Sequence, residues 1–147
     1  AVSAAKKKLI WGVVAVIIAV LARAIPLVVE NIITASPGPS SPPAVTTNPA
    51  TLVTSTSATL NSTINPNGFA TTVWFRYSDV GSINCALDTG GTRIPLTGGL
   101  PAGSGTTNFT VGQGITGLSS GTGYVFCARA TNSSGGTGGA GQIFTTP

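Results

Sequence analysis

The sequence contains no histidine and no methionine, and of its 147 residues only seven are basic and three acidic. Without histidine, most general acid–base chemistry, catalytic triads and zinc sites lack their usual donor. Glu30, Asp79 and Asp88 are the whole carboxylate inventory, too few for most metal or glycosidase sites. No catalytic set, no metal site and no cofactor is expected, and the chain is read as a non-enzyme. Soluble proteins average about 25% charged residues, whereas this chain has 7%. Such a chain belongs outside the cytosol or out of free solution. The net charge is +4, yet Lys6, Lys7 and Lys8 supply three of those charges at one end. The remainder lacks the basic stripe that phosphate binding needs, so no nucleic-acid partner is expected.

What is present falls into three zones. The first, residues 1–34, is read as a long hydrophobic α-helix. Leu9 to Ala22 (LIWGVVAVIIAVLA) carries no charge, and after Arg23 the segment AIPLVV continues to Glu30. Leu9 to Val29 would make about 31 Å of helix, the thickness of a bilayer core. The stretch is apolar all round, so it must be surrounded by lipid or by other helices. The lysines ahead of it would hold that end on the cytoplasmic side. Pro26 removes one backbone hydrogen bond and crowds the Ala22 carbonyl, which predicts a kink. Arg23 and Glu30 stand two turns apart on nearly one face. That is too far for a pair within one helix, but charges so placed can meet between helices shifted along their axes. The other reading of Arg23 is a side chain snorkelling to the interface. The second zone, residues 35–43 (ASPGPSSPP), has four prolines in nine residues, an extended spacer.

The third zone, residues 44–147, alternates short β-branched and aromatic runs with turn residues. In Ser57–Ile64 the side chains of Ala58, Leu60 and Ile64 share one face, and Asn65-Pro66-Asn67-Gly68 is a turn. In Thr71–Ser78, Val73, Phe75 and Tyr77 face one way and Trp74 and Arg76 the other. In Tyr124–Ala130, Tyr124, Phe126, Ala128 and Ala130 point inward and Cys127 and Arg129 outward. Ile143–Thr146 is a last short strand. This pattern predicts an all-β antiparallel sandwich with Leu60, Ile64, Phe75, Tyr77, Leu118, Tyr124, Phe126 and Ala128 in its core. Cys85 and Cys127 are an even set that would pair in an oxidising compartment; two buried thiols is the reading for a reducing one.

Smaller motifs need weighing. Gly136-Thr-Gly138-Gly-Ala-Gly141 spells a dinucleotide fingerprint but lacks the helix and later acid that motif requires, so it is read as a hairpin loop. Asn61-Ser-Thr63, Asn108-Phe-Thr110 and Asn132-Ser-Ser134 are candidate N-glycosylation acceptors. Trp74 and Arg76 form either a recognition patch or a tryptophan covered by neighbouring side chains. Asp79 and Asp88 are too few for calcium.

These residues carry a resemblance. The segments TSTSATLNSTINPNG (54–68), TTVWFRYS (71–78), GLSSGTGYVFCARATNSSG (117–135) and FTTP (144–147) resemble an Ig-like, fibronectin type III-like domain of the kind found in microbial surface proteins. Leu118 to Tyr124 matches that family's Leu…Tyr corner, with Ser120 where proline is usual. Cys127 points outward, so its bond would not be the inter-sheet disulfide of antibody domains. The N-terminal zone is similar to the helix of pilins, either of archaeal type IV pilins or of conjugative pilins. That resemblance implies a structural subunit of an extracellular helical filament serving adhesion. Its partners would be copies of itself, with the membrane before assembly and lipid in the filament core. Arg23, Pro26 and Glu30 would then be inter-subunit helix contacts. The alternative is a single-pass membrane-anchored surface protein whose fibronectin type III-like domain binds a ligand or partner.

Overall fold

The computed structural model of the chain describes residues 41–79 and 81–147. The expected helix, most of the spacer, and Arg23, Pro26 and Glu30 lie outside the described residues. Among the described residues there is no helix; every regular element is a β-strand.

The strands are β1 (Ala44–Thr51), β2 (Ser57–Asn65), β3 (Thr72–Ser78), β4 (Thr92–Ile94), β5 (Leu100–Pro101), β6 (Phe109–Thr116), β7 (Gly123–Asn132), β8 (Gly135–Gly138) and β9 (Gln142–Thr145). All pairings are antiparallel. One sheet has the order β1-β2-β6. The other has the order β4-β3-β7-β8, with β5 also on β3 and β9 also on β7. Strict alternation on β2 buries Ala58, Leu60, Ser62 and Ile64. They meet Val73, Phe75, Phe126, Ala128 and Ala130 from the facing sheet, which closes the core of the sandwich. Of the residues expected in that core, Tyr77 alone is only partly buried. Tyr124 stacks on Phe144 at 5.4 Å, and Phe126 meets the same ring edge-on at 5.9 Å. The Leu118…Tyr124 corner closes through the Ser119 backbone N–H, which donates to the Tyr124 hydroxyl at 2.9 Å.

Of the hairpin loop expected over residues 136–141, the first three residues are instead strand, the end of β8, and only 139–141 lie outside a strand, between β8 and β9. Arg129 pairs with Gly138, whereas Phe126 pairs with Gln142. Three residues on one side therefore face two on β7, a β-bulge. The bulge shifts the alternation by one residue and turns Gly136 and Gly138 outward. At the same place Gly139 N–H donates to the Ala128 carbonyl at 2.8 Å. The Ala128 N–H is left for the buried hydroxyl of Thr47, which accepts it at 3.1 Å. Thr47 thus satisfies across the sandwich a donor that the bulge would orphan.

Candidate functional site

The outer faces of the two sheets differ. On the second sheet, the chain leaves β3, turns back over that face and returns to β4. Within this excursion Asn84 and Thr89 exchange backbone hydrogen bonds of 2.9 and 3.0 Å, and Asn84 Oδ1 accepts from Leu87 N–H at 3.0 Å. The return requires Gly90 and Gly91, both at positive φ, because a Cβ there would lie 2.2 Å from the Ser82 oxygen and 2.4 Å from the Tyr77 oxygen. The loop is bolted to the sheet by a disulfide between Cys85 and Cys127, with Cα atoms 6.1 Å apart. Its backbone rests on Gly138, which has no side chain to hold it off.

Every arginine among the described residues is committed to this clamp or its border. Asp88 Oδ1 accepts from Trp74 Nε1 at 2.8 Å and from Arg76 Nε at 2.7 Å. Arg76 also donates to the Gly90 carbonyl at 2.8 Å. Arg129 donates to the carbonyls of Cys85 and Ala86, and Arg93 to those of Pro95 and Gly98. The guanidinium of Arg93 lies 4.5 Å from the centroid of the Trp74 ring and that of Arg129 5.9 Å. Trp74 is only 8% exposed. Trp74 and Arg76 therefore form a covered clamp and not a recognition patch, as the second of the two sequence readings has it. Among the described residues no group of three or more His, Cys, Asp or Glu side chains converges.

Burial pushes the Asp88 carboxyl upward. The hydrogen bonds from Arg76 and Trp74, with the charges of Arg76 and Arg129, outweigh that and hold its pKa below the ordinary 3.8. A depressed folded-state pKa stabilises the fold above the unfolded value, and the contribution is lost as pH falls through the folded value. Acid titration is expected to show a stability loss below about pH 4 that Asp88→Asn lacks, read from urea midpoints across pH 2–6. Parallel slopes for the two proteins would contradict it.

The outer face of the first sheet is open and carries no charge. Asn48 lies opposite Asn61, Thr46 opposite Thr63, and Asn61 opposite Gly112. An open groove of about 530 Å³ is lined by Asn48, Pro49, Thr51, Asn61, Thr110 and Gly112, among others. Asn61 Nδ2 donates to the Pro49 carbonyl at 2.9 Å and to Thr51 Oγ1 at 3.0 Å. A carbonyl can only accept, so the amide nitrogen must be the group facing Pro49. Asn61 Oδ1 is thereby turned to the Gly112 side, where a glycine leaves room for it. Asn48 Nδ2 is likewise held by Thr63 Oγ1 at 2.8 Å. Neither carbonyl oxygen has a hydrogen-bond partner among the described residues. The groove therefore presents two fixed acceptors and neighbouring hydroxyls.

The sequence indicated that Cys127 and Arg129 share an outward face with Trp74 and Arg76. It did not indicate that Asp88 and Arg93 join them, nor the Asn48–Asn61 pairing. The i,i+2 glycines at 136 and 138 were the one available sign that something covers that part of the sheet.

No family model matches the chain, and no curated protein matches it. Solved structures similar to it include sensor domains of the anti-sigma factor RsgI4 of Pseudobacteroides cellulosolvens. A short form is 21% identical with a TM-score of 0.45, covering 72% of this chain and 95% of that one. A long form is 19% identical with a TM-score of 0.40, covering 71% and 88%. A solution structure is 18% identical with a TM-score of 0.42, covering 70% and 74%. These findings correct the pilin reading: the similar structures are sensor domains, not filament subunits. The filament, its adhesive role, the self-association of copies of this chain and the lipid-filled core are withdrawn with it. The inter-subunit roles given to Arg23, Pro26 and Glu30 belong to that reading, and the three residues lie outside the described ones. The helix on which that reading rested lies outside the described residues.

Proposed function

We propose that this chain is a membrane-anchored, outward-facing surface protein whose fibronectin type III-like sandwich binds a neutral, hydroxyl-rich ligand, as a recognition module and not as an enzyme. The observation that carries the reading is the groove of the first sheet, where the amide nitrogens of Asn48 and Asn61 are tied down and their carbonyl oxygens left as acceptors. Fixed acceptors with no charge favour a ligand rich in O–H donors, such as an oligosaccharide, over an anion or a basic peptide. The strand order, three strands facing a sheet centred on β3 and β7, supports the fibronectin type III-like reading. The Cys85–Cys127 bond supports an oxidising, extracytoplasmic location. The segment Leu9–Val29, apolar but for Arg23, and the three preceding lysines support a single membrane anchor.

Titration of the full chain in detergent against neutral oligosaccharides, acidic oligosaccharides and basic peptides tests the reading. Binding is expected for neutral oligosaccharides only, unchanged between about 0.05 and 0.5 M salt because no charge pair is screened. Asn48→Ala combined with Asn61→Ala is expected to weaken it about tenfold or more. Binding that follows ionic strength, or that ignores those two substitutions, would overturn it.

A further inference from the structure

The three Asn-X-Ser/Thr tripeptides look alike in sequence and differ in the fold. At Asn61 the amide nitrogen donates to the Pro49 carbonyl, to Thr51 Oγ1 and to the Thr59 carbonyl at 2.9, 3.0 and 3.4 Å. Its third residue, Thr63, has its hydroxyl taken by Asn48. At Asn132 the amide nitrogen donates to the carbonyls of Ser41 and Pro66, both at 3.1 Å, and Oδ1 accepts from Ser134 N–H at 2.8 Å. Asn132 thus ties the end of the proline-rich spacer to the sandwich. Asn108 is exposed and its side chain has no hydrogen bond among the described residues, and Thr110 beside it is exposed on the edge strand β6. The loop that carries it is nonetheless anchored. Asn65 Nδ2 donates to the Thr106 carbonyl and Gly68 N–H to the Gly105 carbonyl, both at 2.9 Å.

We infer that Asn108 is the N-glycan acceptor of this protein, and that Asn61 and Asn132 remain unmodified. The acceptor nitrogen must shed a proton and offer its electron pair to an incoming sugar. The donor is a polyprenyl-pyrophosphate-linked oligosaccharide, presented by a membrane oligosaccharyltransferase. Asn108 Nδ2 attacks the anomeric carbon and forms an N–C bond. The C–O bond to pyrophosphate breaks, and the lipid pyrophosphate leaves with that bonding pair. One amide proton passes to a base of the transferase. At Asn61 and Asn132 the same nitrogen is donating to carbonyls inside the fold. A sugar there would displace β1 from β2, or the spacer from its seat, and leave those carbonyls without their donors. At Asn108 nothing has to be broken, and the glycan projects from the loop ahead of β6.

The test expresses the full chain behind a fused export leader in cells carrying an oligosaccharyltransferase, beside a control acceptor that those cells glycosylate. Intact mass and glycopeptide mapping of the disulfide-bonded protein are expected to show one glycan. Asn108→Gln and Thr110→Ala should each abolish it, and Asn61→Gln and Asn132→Gln should leave it in place. A glycan on Asn61 or Asn132, or a bare Asn108 beside a modified control, overturns the inference. Forced export and the absence of ligand make this readout independent of the binding reading, so either can fail without the other.

Discussion

Replacing Cys85 and Cys127 together by serine is expected to lower the unfolding free energy by about 3–4 kcal/mol, the chain-entropy value for a loop of this size. The bond joins positions 42 residues apart, and the loop it closes contains β4, β5 and β6. Opening it therefore frees a large part of the unfolded chain while leaving the core residues in place. The loop does not come away altogether, because Asp88 still accepts from Trp74 and Arg76 and Arg129 still donates to the loop carbonyls. The variant should remain folded, with a lower urea midpoint in circular dichroism and an unchanged β spectrum. A loss under about 1 kcal/mol would mean that these polar contacts, not the disulfide, hold the loop down.

Gly138→Val is expected to cost about 3 kcal/mol or more, an overpacking effect aggravated by its direction. A Cβ on residue 138 would lie 2.3 Å from the Cys85 carbonyl carbon and 2.6 Å from the Ala86 nitrogen. Both neighbours are backbone, and the disulfide prevents that backbone from stepping aside. Gly114→Val is the control: it also lies on a strand, with nothing within 4 Å of its Cβ position, and should change stability by about 0.5 kcal/mol or less. The two effects on the loop are coupled. In the Cys85→Ser/Cys127→Ser background the loop can lift, so Gly138→Val should cost about 1 kcal/mol less there, a non-additivity that a double-mutant cycle reads directly. Equal costs in both backgrounds would show that residue 138 does not act through the loop.

The strands legible from residue order alone are those in which large apolar residues recur every second position. Ala58, Leu60 and Ile64 on β2, Val73 and Phe75 on β3, and Tyr124, Phe126, Ala128 and Ala130 on β7 are buried as that period requires. The corner from Leu118 to Tyr124 was legible for the same reason: its contacts are local. The outward direction of Trp74, Arg76, Cys127 and Arg129 follows from the alternation too. The N-terminal apolar segment resembles a pilin helix because any apolar helix must leave water, and composition does not record whether lipid or other helices then surround it.

What lies over the outward side chains is set by the folded chain and not by local residue order. β8 is three glycines and one threonine. A glycine carries no side chain and so no hydrophobic period, and its strand is fixed by β7 paired beside it and the disulfide loop packed over it. Counting back from Phe144 by twos would turn Gly138 and Gly136 into the core. The bulge opposite Cys127 and Ala128 reverses them, and no side chain at residues 139–141 announces it. The pairing of Asp88 with Trp74 and Arg76, 14 and 12 residues away, depends on a loop that doubles back. The groove between Asn48 and Asn61 likewise depends on strand register. Such contacts are set by where the backbone returns, and a local pattern of residue types does not encode that.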